Sequence, residues 1–206
     1  MTANRPRLPF SRALLPILLG VAAYGCDVTA QPNNAQCQTE IAKFLRDPTE
    51  SSAAAISADD RCGVHLAASA ADLQQLDRLV ADGNGIAARL LARHLGSLDG
   101  GELGDAHRAL GKFSALRPDE FLRLAASEEL SSRQVSRSVA MLPLELVDDF
   151  PAQLSEMMAR RSKIERVIDP QVVEMKGAAL AALDSIIAQL KRSVAAEEAQ
   201  DPQGAR

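Results

Sequence analysis

From about residue 37 onward, apolar residues recur every three or four positions, and no alternating run long enough for a strand appears. The polar residues between these stripes predict where helices begin. Asp47-Pro48 predicts a short helix with proline at its first position, where the missing N–H costs nothing. Ser69-Ala-Ala-Asp72 reads as a capping box leading into LQQLDRLVAD, with Gly83 as the stop. Asn84 predicts the cap of a helix carrying Ala87, Leu90, Leu91, Leu95 and Leu98 on one face. Asp99 predicts the next, with Leu103, Ala106, Leu110 and Phe113 aligned. Pro118 with Asp119 and Glu120 marks a further first turn, where acids suit the helix dipole. Ser131-Ser-Arg-Gln134 is a second capping box, closed by Pro143. Asp149 with Pro151 opens a helix through Val167, and Asp169-Pro170 opens the last and longest, to about Ala195.

The predicted class is therefore all-α. Starts near 69, 84, 99, 117, 131 and 149 pair into helical hairpins of roughly 30–33 residues, the scale of α-solenoid repeats. By spacing alone the arrangement is similar to a HEAT-type array of antiparallel hairpins. An irregular helical bundle is the competing architecture. In the last helix, Leu180, Leu183, Ile187, Leu190 and Val194 step by three and four like a coiled-coil seam. The seam spans barely two heptads, so it reads as a C-terminal cap packed on the preceding helices, with oligomerisation through it as the second reading. The polar residues 196–206 are expected to be disordered.

The N-terminus has a different pattern. Arg5, Arg7 and Arg12 precede the apolar run Ala13 to Ala23, and small residues follow, the layout of a secretory signal peptide. Pro16 and the shortness of the run argue against a permanent span, which needs about 20 apolar residues. Ala23-Tyr24-Gly25-Cys26 resembles the bacterial lipoprotein signal, with Tyr24 departing from that pattern. The resemblance covers the signal segment only. It implies cleavage before Cys26 and lipid attachment to that residue, giving a signal peptide at 1–25 and a polar spacer at 26–36. Val28-Thr29-Ala30 offers an alternative cleavage after Ala30, which would release a soluble periplasmic or secreted protein. The helical domain is then expected over 37–195.

Either route removes Cys26 from the thiol count and leaves Cys37 and Cys62, which an oxidising periplasm is expected to join. Two short helices between them, about residues 38–46 and 49–57, would form a hairpin that returns the chain to its starting end.

Composition narrows the function classes. The chain carries 23 Lys plus Arg against 27 Asp plus Glu; without the first 26 residues, which hold three Arg and no acid, the balance is 20 − 27 = −7. Nucleic-acid binding needs clustered cations and is not expected. Past residue 26 the aromatics are Phe44, Phe113, Phe121 and Phe150, too few for stacking platforms.

The search for catalytic or metal chemistry mostly meets core positions. His94 and His107 both fall within apolar stripes and read as hydrogen-bonded packing residues. A metal shared between them and Asp105 is disfavoured, because Asp105 and His107 are two apart and point to different sides of a helix. No nucleophile elbow, phosphate loop or CxxC spacing occurs. Gly100-Gly101 reads as a turn, and the pairs Asp59-Asp60 and Asp148-Asp149 as caps at helix junctions. Arg160, Arg161, Lys163 and Arg166 form the densest basic cluster, with Arg89 and Arg93 a smaller one. These six are the expected partner-binding cations, with Arg160, Arg161 and Arg166 read as lying off the apolar stripe of their helix.

The expected function is non-catalytic binding of another protein in the bacterial envelope, inhibitor-like or adaptor-like, with membrane attachment through lipid and no cofactor. An envelope enzyme using His94 and His107 with nearby acids is the alternative from a different class, and a structural oligomer is the third.

Overall fold

The polar residues between the stripes do cap helices. The computed structural model describes residues 34–128 and 130–200, and among them ten α-helices and no strand. They are α1 (Asn34–Arg46), α2 (Glu50–Ser57), α3 (Asp60–Ala67), α4 (Ala70–Ala81), α5 (Gly85–His94), α6 (Gly100–Leu116), α7 (Pro118–Ser127), α8 (Ser132–Ala140), α9 (Phe150–Glu165) and α10 (Val173–Gln200). Short 3-10 turns cover Leu95–Ser97, Leu144–Leu146 and Pro170–Val172. The predicted signal peptide, Cys26, the alternative cleavage at Ala30 and residues 201–206 lie outside the described residues.

Asn84 Oδ1 accepts from Ala87 N–H at 2.9 Å, and Asp149 Oδ1 from Ala152 N–H at 2.8 Å. Ser131 and Gln134 exchange the two bonds of a capping box, at 3.3 and 2.8 Å. Ser69 makes half of one, accepting from Asp72 N–H at 3.4 Å. Gly83, at φ +91°, ends α4 in a left-handed turn in which Asn84 N–H donates to Leu79 O at 3.0 Å.

Several boundaries differ from expectation. α2 is capped by Thr49, which exchanges bonds with Ser52, so Pro48 precedes the helix rather than opening it. Asp99 stands at the start of α6 without a side-chain capping bond. Asp59 caps as expected at a helix junction, and the helix it opens, α3, is one for which the pattern gave no range. α1 begins at Asn34, inside the predicted spacer, and α10 runs to Gln200, into the predicted tail.

The helices form two rows. α4 packs on α6, α6 on α8 and α8 on α10, while α2 packs on α5, α5 on α7 and α7 on α9. Within the rows' interface, α4–α5, α6–α7 and α9–α10 pair as neighbours in sequence. Phe44, Phe113 and Phe121 lie fully buried in a core that runs the length of the array. α1 closes one end against α2, α3 and α4, and α10 closes the other against α8 and α9. Leu183, Ile187 and Leu190 of the α10 seam are buried in that contact, so the seam that suggested oligomerisation is used inside the chain.

Cys37 of α1 and Cys62 of α3 form a disulfide with Cα atoms 5.0 Å apart, within the usual range for such a bond. Cys62 lies on a third helix, α3, packed beside α1, rather than just beyond the expected two-helix hairpin.

Helix C-termini expose carbonyls that lack intrahelical partners. Here side chains from later helices supply the donors. Gln75 Nε2 of α4 reaches Leu45 O of α1 at 3.2 Å, and Lys163 Nζ of α9 reaches Ala115 O of α6 at 2.8 Å. Lys176 Nζ of α10 donates to Glu165 O and Val167 O at the end of α9, at 2.7 and 2.8 Å. Arg160 Nη1 of α9 donates to Val139 O and Met141 O at the end of α8, at 2.7 and 3.2 Å, while its Nη2 meets Glu156 at 2.9 Å.

This corrects the reading of Arg160 as an outward cation: it is 1 % exposed. The buried stripe of α9 is Gln153, Met157, Arg160 and Ile164, polar at two of four positions because both polar residues serve backbone carbonyls. α6 approaches closely enough to complete this seam. A Cβ on Gly111 would lie 2.5 Å from Ser138 O and 3.0 Å from Arg160 Nη1.

Candidate functional site

On α4, Leu73, Leu76 and Val80 face the core. Asp77 stands four residues after Leu73 and three before Val80, at the edge of that stripe, and so meets α6 across a cavity of about 610 Å³. Leu73, Ala109 and Leu144 supply apolar wall, and Arg78, Glu102, Asp105, Arg108 and Lys112 supply charge. Asp105 pairs with Arg108 on the same helix, and Lys112 Nζ meets Glu145 at 3.0 Å. Asp77 Oδ1 is buried and has no hydrogen-bond partner in the protein, and the same holds for Arg108 Nε. Burial pushes the Asp77 carboxyl up to about 7; the neighbouring Asp105 charge adds to the rise and Arg108 opposes it.

Leu144 also belongs to an apolar knuckle between α8 and α9. Leu144, Val147 and Phe150 are 61 %, 52 % and 37 % exposed. Their backbone is nevertheless tied down. The buried Gln153 amide donates to Leu146 O and Val147 O at 2.6 and 2.7 Å, Asp149 caps α9, and Glu145 holds Lys112. Of the three, Leu144 also lines the α4–α6 cavity.

The predicted cationic sites fare differently. Arg89 Nη1 lies 2.9 Å from Glu50, tying α5 to α2. Arg93 grips both Glu128 oxygens at 2.7 and 3.0 Å, tying α5 to the end of α7. Arg161 pairs with Asp184 at 2.6 Å and Glu165 at 2.8 Å, and Lys163 caps α6. Arg166 is exposed and has no ionic partner among the described residues. The six do not form one basic face.

The histidines stand apart from each other in their surroundings. His107 is buried, with Nδ1 2.9 Å from Ser138 Oγ of α8. His94 lies over Gly63 of α3, where a Cβ would come within 2.3 Å of its ring, and its Nε2 is buried without a partner. Burial is the first cause that lowers both pKa values, with Arg93 adding to the effect on His94 and Arg137 on His107. Among the described residues one group has metal-ligating geometry, Cys37, Asp59 and Cys62; with its sulfurs bonded to each other, it offers a metal one carboxylate that already holds Arg61.

A second cavity of about 850 Å³ lies between α5, α7 and the Pro170–Val172 turn, and two of its cations are paired. Arg89 and Arg123 are paired with Glu50 and Asp169, and Glu120 lies against Gly85 at the start of α5. The α4–α6 cavity differs in that one oxygen of a lining acid, Asp77 Oδ1, is buried without a hydrogen-bond partner. Sequence reasoning passed over Asp77, although an acid at a position where the spacing calls for an apolar residue was the signal to find it. No protein-family model, curated protein or solved structure matches this chain.

Proposed function

We propose that this chain is an exported, lipid-anchored, non-catalytic helical protein of the bacterial envelope that binds another protein. Its binding face is the knuckle Leu144, Val147 and Phe150 with the adjoining α4–α6 cavity. The observation that carries this reading is the pinned knuckle: exposed apolar side chains on ordered backbone lose little conformational freedom on binding and gain burial. The Cys37–Cys62 bond supports an oxidising compartment. No helix among the described residues is long and apolar enough to cross a membrane, so attachment in this reading rests on Cys26. Of the predicted cations Arg160 is buried and leaves the binding role, while Arg89, Arg93, Arg161 and Lys163 are exposed or half-buried with partners inside the chain and Arg166 is exposed.

Two experiments test the reading. Proteins captured from the envelope by the full-length protein should be lost with the L144S/V147S/F150S variant and kept by R161M. Retention by both variants would overturn the binding face. Cys26→Ser should accumulate unprocessed or soluble protein. Wild-type processing and fractionation in that variant would replace the anchor with cleavage after Ala30.

A further inference from the structure

We propose that the corner where α1 meets α3 is a redox-gated metal site. Reduction of the Cys37–Cys62 bond by a thioredoxin-class dithiol frees two thiolates, which hold a zinc-class divalent cation together with the Asp59 carboxylate. This is independent of the protein-binding reading above.

Asp59 caps α3 and Cys62 lies three residues on, so both stand on one side of its first turn. Cys37 meets them from α1. The two sulfurs and a carboxylate oxygen of Asp59 lie within 4.8 Å of one another, and no other three His, Cys, Asp or Glu side chains among the described residues are gathered so closely. Both cysteines are buried, whereas Asp59 is half-buried and opens the corner to solvent. Thiolate ligands select zinc, cobalt or cadmium over calcium and magnesium, which take oxygen ligands. Two sulfurs each about 2.3 Å from a tetrahedral zinc sit roughly 3.8 Å apart. With the Cα atoms 5.0 Å apart, rotation about the Cα–Cβ bonds supplies that spacing and the helices stay in place. Three protein ligands leave the fourth position to water.

The charges balance. Two thiolates and one carboxylate carry three negative charges, which a divalent cation and Arg61, 3.0 Å from Asp59, together neutralise. The Arg61 side chain is 50 % exposed, so its pair with Asp59 is weak and the metal displaces it readily. In the reduction, two electrons and two protons pass from the dithiol to Cys37 and Cys62, and the dithiol leaves as its own disulfide. The metal then displaces both thiol protons to solvent. Oxidation rejoins the sulfurs and releases the ion, so the covalent staple and the metal exclude each other.

The probe is Co2+, with Zn2+ as competitor. Full-length protein is reduced with a phosphine in urea and refolded without oxygen, beside the oxidised protein. The reduced protein should bind Co2+ with thiolate-to-cobalt charge-transfer absorption and tetrahedral visible bands, which Zn2+ abolishes. The oxidised protein and the Cys37→Ser/Cys62→Ser variant should show neither. Asp59→Asn still caps α3 and should bind at least about 10-fold more weakly, since even residues that only support a ligand are worth that much. Zn2+ should raise the thermal midpoint of the reduced protein and leave the oxidised midpoint unchanged. A missing charge-transfer band, an unmoved midpoint or equal affinity in Asp59→Asn overturns the site. Equal affinity of the reduced chain in urea overturns it too, because the sulfurs then bind without the fold. If the reduced chain folds only with metal, helical circular dichroism gained on adding Zn2+ takes the place of the midpoint, and no gain overturns the proposal.

Discussion

Replacing Arg160 with methionine tests whether a buried cation or an apolar core holds α8 to α9. Methionine keeps the unbranched, space-filling stem and removes the guanidinium. The loss comprises the bonds to Val139 O and Met141 O and the 2.9 Å contact with Glu156. Hydrogen bonds to a charged group contribute about 1.5–3 kcal/mol each, and a buried carbonyl left open costs about 1–3 kcal/mol. Against this stands relief of the desolvated cation, whose burial lowers the pKa of Arg160 more than Glu156 raises it. Breaking one side of a buried charged arrangement typically leaves a net loss of about 3–5 kcal/mol, a large part of the roughly 5–15 kcal/mol that keeps a domain folded. Urea denaturation should therefore show a strongly lowered midpoint with an unchanged slope. Arg161→Met is the control. Its partners are surface carboxylates, and the expected loss is below about 1 kcal/mol. Equal midpoints for the two variants would refute the capping role of Arg160. Charge reversal to Glu at 160 should prevent folding, because a carboxylate would then face two carbonyls and Glu156.

Three further outcomes follow from the same structure. Asp77 has a folded pKa raised above its unfolded value, so the stability from its neutral form is complete below about pH 4 and lost as pH rises through about 7. At about 1.4 kcal/mol per pH unit the ceiling is about 4 kcal/mol, and residual solvent access reduces it to about 2; Asp77→Asn should gain that amount at pH 8 and nothing at pH 4 in paired denaturation curves. Gly111→Ala should destabilise by about 1–3 kcal/mol, since its Cβ meets backbone at 2.5 Å, whereas Gly104→Ala, on the same helix in open space, should stabilise by up to about 1 kcal/mol; calorimetry reads the opposite signs. The Cys37→Ser/Cys62→Ser variant should lose about 3–4 kcal/mol, from the loop entropy of a 25-residue separation, as measured by denaturant midpoint against the oxidised protein.

Caps and stripes made most helices legible, because Asn84, Ser131 and Asp149 act within three residues and need no knowledge of the fold. The cap of α3 was legible in Asp59 but its extent was not, because its eight residues carry Gly63 at the centre and it packs through contact with α1. Arg160 was misplaced for a related reason. Periodicity assumes that inward positions are apolar, and α9 places Gln153 and Arg160 inward to serve carbonyls on other segments. Those partners lie 6 to 21 residues away, beyond the reach of a local pattern. The Asp77 cavity depends wholly on how α4 meets α6, which no window along one helix contains.

The reach of side chains from later helices to earlier helix ends bears on how the molecule comes apart. In a simple repeat array each unit answers only to its neighbours, so the ends fray independently. Here the end of α9 depends on Lys176 of α10, and the ends of α8 and α6 depend on Arg160 and Lys163 of α9. Loosening the last helix therefore frees the end of α9, whose Arg160 holds the end of α8, and hydrogen exchange should show α8, α9 and α10 opening as one cooperative unit rather than α10 fraying alone.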